Sequence, residues 1–188
     1  SGMACFSNEY KDLAKLHKVS TSGSTGQPMV VYQNKEKRDR VKADLIHAHE
    51  KIGWDLGRRY IFIRNWVSNY KQSKLKVFAQ NVVPISIASF DDKKKKELYS
   101  FLCKHPETVL FGYASSVCDF MNYIRNKKLD RKKCRIRVIV CDSDELTKQN
   151  KARLEEVFGC LVINRYDNEE NGLIGITGKD SGNFLVNY

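Results

Sequence analysis

The stretch that decides the fold begins Thr108-Val109-Leu110-Phe111-Gly112-Tyr113 and continues to Asn164. Two further apolar runs of strand length follow, and a segment with helical spacing separates each run from the next. Continuous apolar strands with a helix between neighbours are typical of a parallel sheet that is covered on both faces. We therefore predict strands at Thr108–Tyr113, Ile136–Cys141 and Leu161–Asn164, with helices at Ser115–Lys127 and Lys148–Phe158.

The same alternation extends toward the N-terminus. Asn34 can cap a helix that covers the sheet, and Asp91-Asp92 opens another helix that Pro106 ends. Pro84 makes its own strand an edge strand or places it at a strand start. The stretch from Trp66 to Gln80 is ambiguous. Further strands are predicted at Met29–Tyr32, Tyr60–Ile63 and Val82–Ile87.

After Gly172 the pattern changes to short strands with glycine turns, Leu173–Ile176 and Asn183–Tyr188. We expect residues 3–188 to form a single α/β domain. Its sheet is predicted to be mostly parallel, with helices on both faces, as in a Rossmann-like layer, and to end in short β-strands. Ser1-Gly2 resembles the remnant of a cleaved tag and does not belong to the predicted domain.

Composition narrows the choice of partners. The 188 residues carry 33 Lys and Arg against 22 Asp and Glu, a net charge of +11 that favours anionic ligands. Nucleic acid is a disfavoured partner, because the lysine run Lys93–Lys96 has no interleaved aromatic residue and suits a solvated helix face. Six widely spaced cysteines and the lack of an 18-residue apolar run predict a reduced, cytoplasmic protein with no membrane partner.

A loop rich in hydroxyl groups is the first candidate site. It reads Ser20-Thr21-Ser22-Gly23-Ser24-Thr25-Gly26-Gln27-Pro28. Glycine lets main-chain N–H groups turn inward, and Ser and Thr add short donors, so the loop can cradle a polyphosphate. A flexible surface turn is the alternative, although the strand that follows directly favours the cradle. No Gly-Lys-Ser/Thr follows, so this is not a Walker loop.

Three further loops are expected at the ligand-binding edge of the sheet, because each follows the carboxyl end of a strand. They are Gly112–Ser116, Asp142–Leu146 and Tyr166–Gly172. Together with the hydroxyl-rich loop they offer phosphate donors, an aromatic plane and carboxylates. Those groups are what binding of Mg-ATP requires.

These motifs resemble those of the acyl-adenylate-forming enzymes, the AMP-dependent synthetase and ligase superfamily, in its phenylacetate-CoA ligase-like and capsular polysaccharide branch. The family's phosphate loop, [ST]-S-G-[ST]-T-G-x-P, matches Thr21–Pro28 in full. Its Y-G-x-x-E-x-G signature resembles Tyr166–Gly172, with Asp167 in place of Gly. Phe111–Ser115 and Asp144–Leu146 resemble two further family segments. The resemblance covers nearly the whole chain.

The resemblance also implies roles for individual residues. Tyr166 would stack on adenine and Glu170 would ligate Mg as the catalytic carboxylate, although an interfacial aromatic and a solvated acid are the plain alternatives. Gly112 and Tyr113 would line the acyl pocket. The phosphate-binding set would be Thr21, Ser22, Gly23, Ser24, Thr25 and Gly26.

The implied function is ATP-dependent activation of a carboxylate to an acyl-adenylate, followed by thioester formation with coenzyme A. ATP, Mg and coenzyme A are the implied cofactors, and a nucleotide and a small carboxylate are the partners. The oligomeric state, a homo-oligomer included, stays open. Family elements such as the ribose-binding T-G-D motif and the C-terminal domain are not found up to Tyr188. The chain is therefore expected to be a central fragment of a larger adenylation domain. The alternative is a catalytically incomplete nucleotide-binding or interaction fragment without turnover.

Overall fold

A computed structural model describes residues 12–20, 30–66, 74–178 and 183–186. The strands are β1 (His17–Ser20), β2 (Val30–Gln33), β3 (Tyr60–Arg64), β4 (Val82–Ser86), β5 (Thr108–Tyr113), β6 (Ile136–Asp142), β7 (Leu161–Asn168), β8 (Gly172–Thr177) and β9 (Phe184–Val186). The helices are α1 (Lys35–Lys51), α2 (Lys74–Ala79), α3 (Asp92–Lys104), α4 (Ala114–Asn126) and α5 (Lys148–Phe158). Short 3-10 turns join some of these elements.

Seven strands form one sheet in the order β4-β3-β5-β6-β7-β8-β9, and β1 and β2 form a separate antiparallel hairpin. Every pair from β4 to β7 is parallel, whereas β7-β8 and β8-β9 are antiparallel. The predicted mostly parallel α/β fold is confirmed. Pro84 lies in the edge strand β4, as its missing N–H donor requires.

The sheet is covered on both faces by helices that bury separate apolar clusters. On one face α3, α4 and α5 pack against residues such as Leu110 and Ile139, and Phe120 of α4 is fully buried there. On the other face the end of α1 packs against Phe111 and Val140. Burial on both faces explains why β5 and β6 consist of nearly continuous apolar residues.

Side-chain caps fix where three helices begin. Asn34 Oδ1 accepts a hydrogen bond from Lys37 N at 2.8 Å, and Asp91 Oδ1 accepts one from Lys94 N at 2.9 Å. At the start of α5, Thr147 Oγ1 accepts a hydrogen bond from Asn150 N at 3.2 Å. Each cap satisfies a main-chain N–H that has no partner inside the helix. The helix starts that depended on Asn34 and Asp91 are therefore confirmed.

The structure differs from the sequence prediction most clearly in β7. The predicted strand ends at Asn164, but β7 continues to Asn168. Its first half pairs with β6 up to Asn164, and its second half pairs with β8 from Arg165 onward. The polar residues of this second half stay extended because a hairpin partner satisfies their main chain, which local composition does not reveal.

Three smaller points complete the fold. The ambiguous stretch after Trp66 contains α2, while residues 67–73 lie outside the described part. The five cysteines within the described residues are free thiols, as expected. Among the described helices, none combines the length and apolar character that a membrane span needs.

Candidate functional site

The parallel pairing brings the predicted loops to one edge of the sheet. Tyr113 at the end of β5 is in register with Asp142 at the end of β6, and Cys141 is in register with Asn164 of β7. The segments that follow these strands therefore begin side by side. This edge is where ligands bind in open α/β sheets.

Tyr166 lies within β7 rather than in a loop, and its side chain is 57% exposed. It pairs with Gly175 of β8, and its ring contacts the ring of Phe184 on β9 with centroids 6.3 Å apart. An exposed aromatic ring on a paired strand is a rigid surface for stacking, because the strand fixes its direction.

Glu170 lies in the turn that joins β7 to β8, and two side chains from the N-terminal part of the chain hold this turn. Gln33 Nε2 donates to the carbonyl of Glu169 at 2.8 Å. Lys37 Nζ donates to the same carbonyl at 3.2 Å and also to the carbonyl of Glu170. The half-buried Glu170 is thus fixed through its backbone to β2 and α1.

Gly172 closes that turn and cannot readily be another residue. Its φ of +81° lies in the left-handed region, and a Cβ there would lie 2.5 Å from Cγ2 of Val41 on α1. Asn168 Oδ1 accepts a hydrogen bond from Asn171 N at 2.7 Å, which tightens the turn from the other side. The glycine that ends the resembled signature therefore has a physical reason here.

A buried polar network lies on the α1 face of the sheet at the same edge. Asp142 forms an ion pair with Arg165 Nη2, and their side chains are only 2% and 10% exposed. Arg165 Nε lies 3.1 Å from Asp167 Oδ2 without hydrogen-bond alignment. Burial raises the pKa of Asp142, and the positive charge of Arg165 opposes that rise. Because both charged groups are removed from water, loss of either one would leave the other as an uncompensated buried charge.

His49 of α1 joins this network as a neutral group. Burial, and secondly the charge of Arg165, lower the pKa of His49 to about 3. Its Nε2 lies 3.4 Å from Arg165 Nη1. Because the guanidinium can only donate, His49 Nε2 is the acceptor and the ring proton sits on Nδ1. Its burial makes His49 part of the core on the α1 face of the sheet.

Gly112 and Tyr113 take opposite faces of the sheet, as neighbouring strand residues do. A Cβ on Gly112 would lie 3.0 Å from Cβ of Ile63 and 3.4 Å from Cγ2 of Val117, so the residue serves close packing. Tyr113, half-buried, is in register with Asp142. At most one of these positions can present a side chain to the Tyr166 face, and their role in an acyl pocket stays a prediction.

Asp144, in the loop after β6, has a structural partner. Its Oδ1 accepts a hydrogen bond from Ala114 N, and its Oδ2 accepts one from Ser115 N at 3.0 Å. Asp144 thus caps the first turn of α4, whose own N-cap residue Tyr113 contributes no side-chain hydrogen bond. The contact joins the loop after β6 to the start of α4. Because α4 follows β5 directly, the prediction of a loop at Gly112–Ser116 is wrong.

The hydroxyl-rich loop lies outside the described residues. Its flanks are described: Ser20 of β1 is in register with Val30 of β2, so the two ends of the loop meet at a paired position. The role assigned to the phosphate-binding residues stays a prediction for Thr21, Ser22, Gly23, Ser24, Thr25 and Gly26.

Sequence reasoning did not identify Gln33, Lys37 and the Asp142–Arg165 pair. Some signals for them exist. Lys37 is a cation in the first turn of a helix, where the macrodipole disfavours positive charge. Asp142 and Arg165 carry opposite charges, and each follows the apolar run of one of two consecutive strands. Among the described residues, no group of three or more His, Cys, Asp or Glu side chains is placed to hold a metal ion by itself.

Several solved structures share this fold. A 2-hydroxyisobutyryl-CoA ligase in complex with 2-HIB-AMP and CoA matches with a TM-score of 0.66 and 14% identity, over 98% of this chain and 43% of that one. Apo MatB from Rhodopseudomonas palustris matches with a TM-score of 0.60 and 16% identity, over 87% and 31%. VinN in complex with L-aspartate matches with a TM-score of 0.60 and 18% identity, over 85% of this chain and 39% of VinN. The resemblance to acyl-adenylate-forming enzymes is confirmed at the level of the fold.

One curated protein is similar in sequence. Protein CapK from Staphylococcus aureus is 28% identical over 178 residues, which is 92% of this chain and 39% of CapK. The chain thus spans well under half of the length of this relative. No family model matches the chain.

Proposed function

We propose that this chain is the nucleotide-binding part of an enzyme that activates a carboxylate with ATP to an acyl-adenylate and then forms a thioester with coenzyme A. The observation that carries the proposal is the joint placement of Tyr166 and the Glu170 turn. The ring is exposed at the ligand edge. The turn is held by Gln33 of β2 and Lys37 of α1, the two elements that come after the hydroxyl-rich loop in the sequence. Similarity to CapK supports the capsular branch of the resembled family.

In this proposal each residue has a positioning or charge-stabilising role. Tyr166 stacks on adenine, and residues 21–26 donate hydrogen bonds to the β- and γ-phosphates, which leave as pyrophosphate. The substrate carboxylate attacks the α-phosphorus, the bond to the bridging oxygen of pyrophosphate breaks, and the acyl-adenylate forms. Holding these groups in line supplies most of the rate enhancement in phosphoryl and nucleotidyl transfer.

Glu170 is proposed as the protein ligand of Mg. Magnesium in nucleotide sites is bound by one or two carboxylates together with phosphate oxygens and water, so a single glutamate fits this donor set. When bound, the ion offsets charge on the phosphate oxygens. The contacts of Lys37 and Gln33 to the turn would fix the direction of the glutamate backbone.

Titration of Mg-ATP into the full chain by calorimetry tests the nucleotide site. We expect Tyr166→Ala to weaken ATP binding about tenfold, because one base–aromatic stack is lost. Glu170→Gln should weaken binding in Mg and leave binding in EDTA unchanged. Glu169→Gln, the neighbouring acid in the same turn, is the matched control and should bind as wild type. Equal effects of the two Gln variants would refute the assignment to Glu170.

The alternative function is nucleotide binding without turnover, since the chain spans 39% of CapK. Pyrophosphate and AMP release, measured with Mg-ATP and a panel of small carboxylates with and without coenzyme A, separates the two. Nucleotide binding with no pyrophosphate release favours the second function, and release that depends on one carboxylate favours the first.

A further inference from the structure

Two large aromatic side chains are exposed together on one face of the sheet. Tyr166 on β7 is 57% exposed and Phe184 on β9 is 43% exposed. Their ring centroids are 6.3 Å apart with an interplanar angle of 65°. The rings contact each other edge to face, which leaves much of both rings open to solvent. Phe184 belongs to neither buried apolar cluster of the described residues.

The rings meet because the strand between them carries a glycine. Gly175 of β8 is in register with Tyr166 on one side and with Val186 on the other. Adjacent strands are about 4.8 Å apart, so β7 and β9 are separated by about 10 Å. The rings are closer than that and therefore lean over β8. A Cβ on Gly175 would lie 3.6 Å from Cδ1 of Phe184 and 2.8 Å from the main-chain oxygen of Leu185.

We propose that Phe184 is a second aromatic contact for the nucleotide base and makes the site selective for purines. This inference rests on the proposed nucleotide site at Tyr166. A base that stacks on Tyr166 lies within reach of the Phe184 ring, which meets the base edge-on or turns to stack on it. A bicyclic purine is wide enough to contact both rings, whereas a single pyrimidine ring covers Tyr166 alone. Phe184 is then a specificity-determining residue.

The register of β9 supplies a matched control. Leu185 is 59% exposed and next to Phe184 in the strand, so its side chain points to the opposite face. Leu185→Ala removes a comparable exposed apolar side chain without touching the pair of rings. Phe184→Leu keeps an apolar side chain and removes the ring, which guards against loss of β9 itself.

The experiment is calorimetric titration of the full chain and its variants with ATP, CTP and tripolyphosphate, all with Mg. We expect Phe184→Ala and Phe184→Leu to weaken ATP binding about tenfold, with CTP and tripolyphosphate changed less than twofold. The ratio of ATP to CTP affinity therefore falls toward one. Leu185→Ala should bind all three ligands as wild type.

The outcomes that overturn the inference differ from those that overturn the nucleotide site. If Tyr166→Ala weakens ATP binding and the Phe184 variants do not, the nucleotide site stands and the role of Phe184 is refuted. If the Phe184 variants weaken ATP and tripolyphosphate equally, Phe184 supports the structure of β9 and does not contact the base. If the wild-type chain binds no nucleotide, the proposed function fails and the inference fails with it.

Discussion

The parallel part of the sheet and its antiparallel end are built from similar residues but are covered differently. In β5 and β6 nearly every residue is buried, whereas all three residues of β9 are between 43% and 59% exposed. Parallel strands need a crossover connection, and here the crossover helices cover the faces of the strands that they join. The antiparallel strands β7, β8 and β9 are joined without a described helix. Strand β8 is largely buried all the same, so the apolar side chains that stay exposed are those of β9, the end strand of the sheet.

Strand β7 belongs to both regions and is the junction between them. Up to Asn164 it pairs with β6, and from Arg165 it pairs with β8. The buried Asp142–Arg165 ion pair links β6 to the first residue of β7 that pairs with β8. The turn that Lys37 and Gln33 hold follows the C-terminal end of β7. Substitutions on either side of the junction measure how much each region contributes to the free energy of unfolding.

The largest expected effect contrasts one phenylalanine in each region. Phe120→Ala should lower the free energy of unfolding by about 4 kcal/mol, because it leaves a cavity where a fully buried ring packs between α4 and the sheet. Phe184→Ala should lower it by less than about 1 kcal/mol, since that ring already contacts water. Denaturant unfolding followed by circular dichroism measures both. Similar losses in the two variants would contradict the contrast between the regions.

The next effect concerns the junction. Asp142→Asn should cost about 3 kcal/mol of unfolding free energy, because it leaves the buried guanidinium of Arg165 without its nearest anion. Asp92→Asn, which breaks a surface ion pair with Lys127, is the control and should cost less than about 0.5 kcal/mol. Equal losses would show that the Asp142–Arg165 pair is no more important to stability than a surface pair.

The third effect is a dependence of stability on pH. The pKa of His49 is about 3 in the folded chain and 6.5 in the reference state, so the unfolded chain binds more protons between these values. The stability contributed by neutral His49 is present above pH 6.5 and is lost as the pH falls toward 3. Between pH 7 and 4.5 wild type should lose roughly 2 to 3 kcal/mol more than His49→Gln, from a limiting slope of about 1.4 kcal/mol per pH unit below pH 6.5.

The control for this pH dependence lies on the same helix. His47 is exposed two residues before His49. His47→Gln should therefore follow the wild-type curve of unfolding free energy against pH. If His49→Gln follows the wild-type curve as well, burial of neutral His49 is not the cause of the acid sensitivity.

The smallest effect tests the clamp on the turn. Lys37→Met should cost about 1 kcal/mol of unfolding free energy, through loss of the charge-assisted hydrogen bonds to the carbonyls of Glu169 and Glu170. Lys35→Met removes a lysine with a 93% exposed side chain from the same helix turn and should be neutral. Amide hydrogen exchange in the 169–172 turn should increase only in Lys37→Met. Unchanged exchange there would refute the clamp.

The sequence predicts the parallel part of the fold well because its information is local. Two elements have the predicted bounds, α5 at Lys148–Phe158 and β5 at Thr108–Tyr113. A cap at Thr147 and a stop at Gly159 lie next to α5, and β5 is one continuous, mostly apolar run. The second half of β7 is not predictable in this way. Its residues are polar, and they are extended because β8 pairs with them.

The candidate site divides in the same manner. Tyr166 and Glu170 are predicted as site residues because they stand in a short motif, and their roles stay predictions. Gln33 and Lys37 contact the Glu169 carbonyl across 136 and 132 residues. The unusual position of Lys37 in the first turn of α1 singles it out, but no local pattern identifies its partner. His49 lies at helical spacing from Leu45 and Ile52 on α1, but its acceptor role follows only from the position of Arg165.

The cap that Asp144 places on α4 has an electrostatic consequence for the ligand edge. The N-terminus of a helix carries about half a positive charge and free N–H donors, and it is therefore a natural site for a phosphate. In this fold a carboxylate from the loop after β6 already neutralises that site through Ala114 N and Ser115 N. The protein thus carries its own resident anion at α4, so a phosphate of the proposed nucleotide would need donors other than the start of this helix.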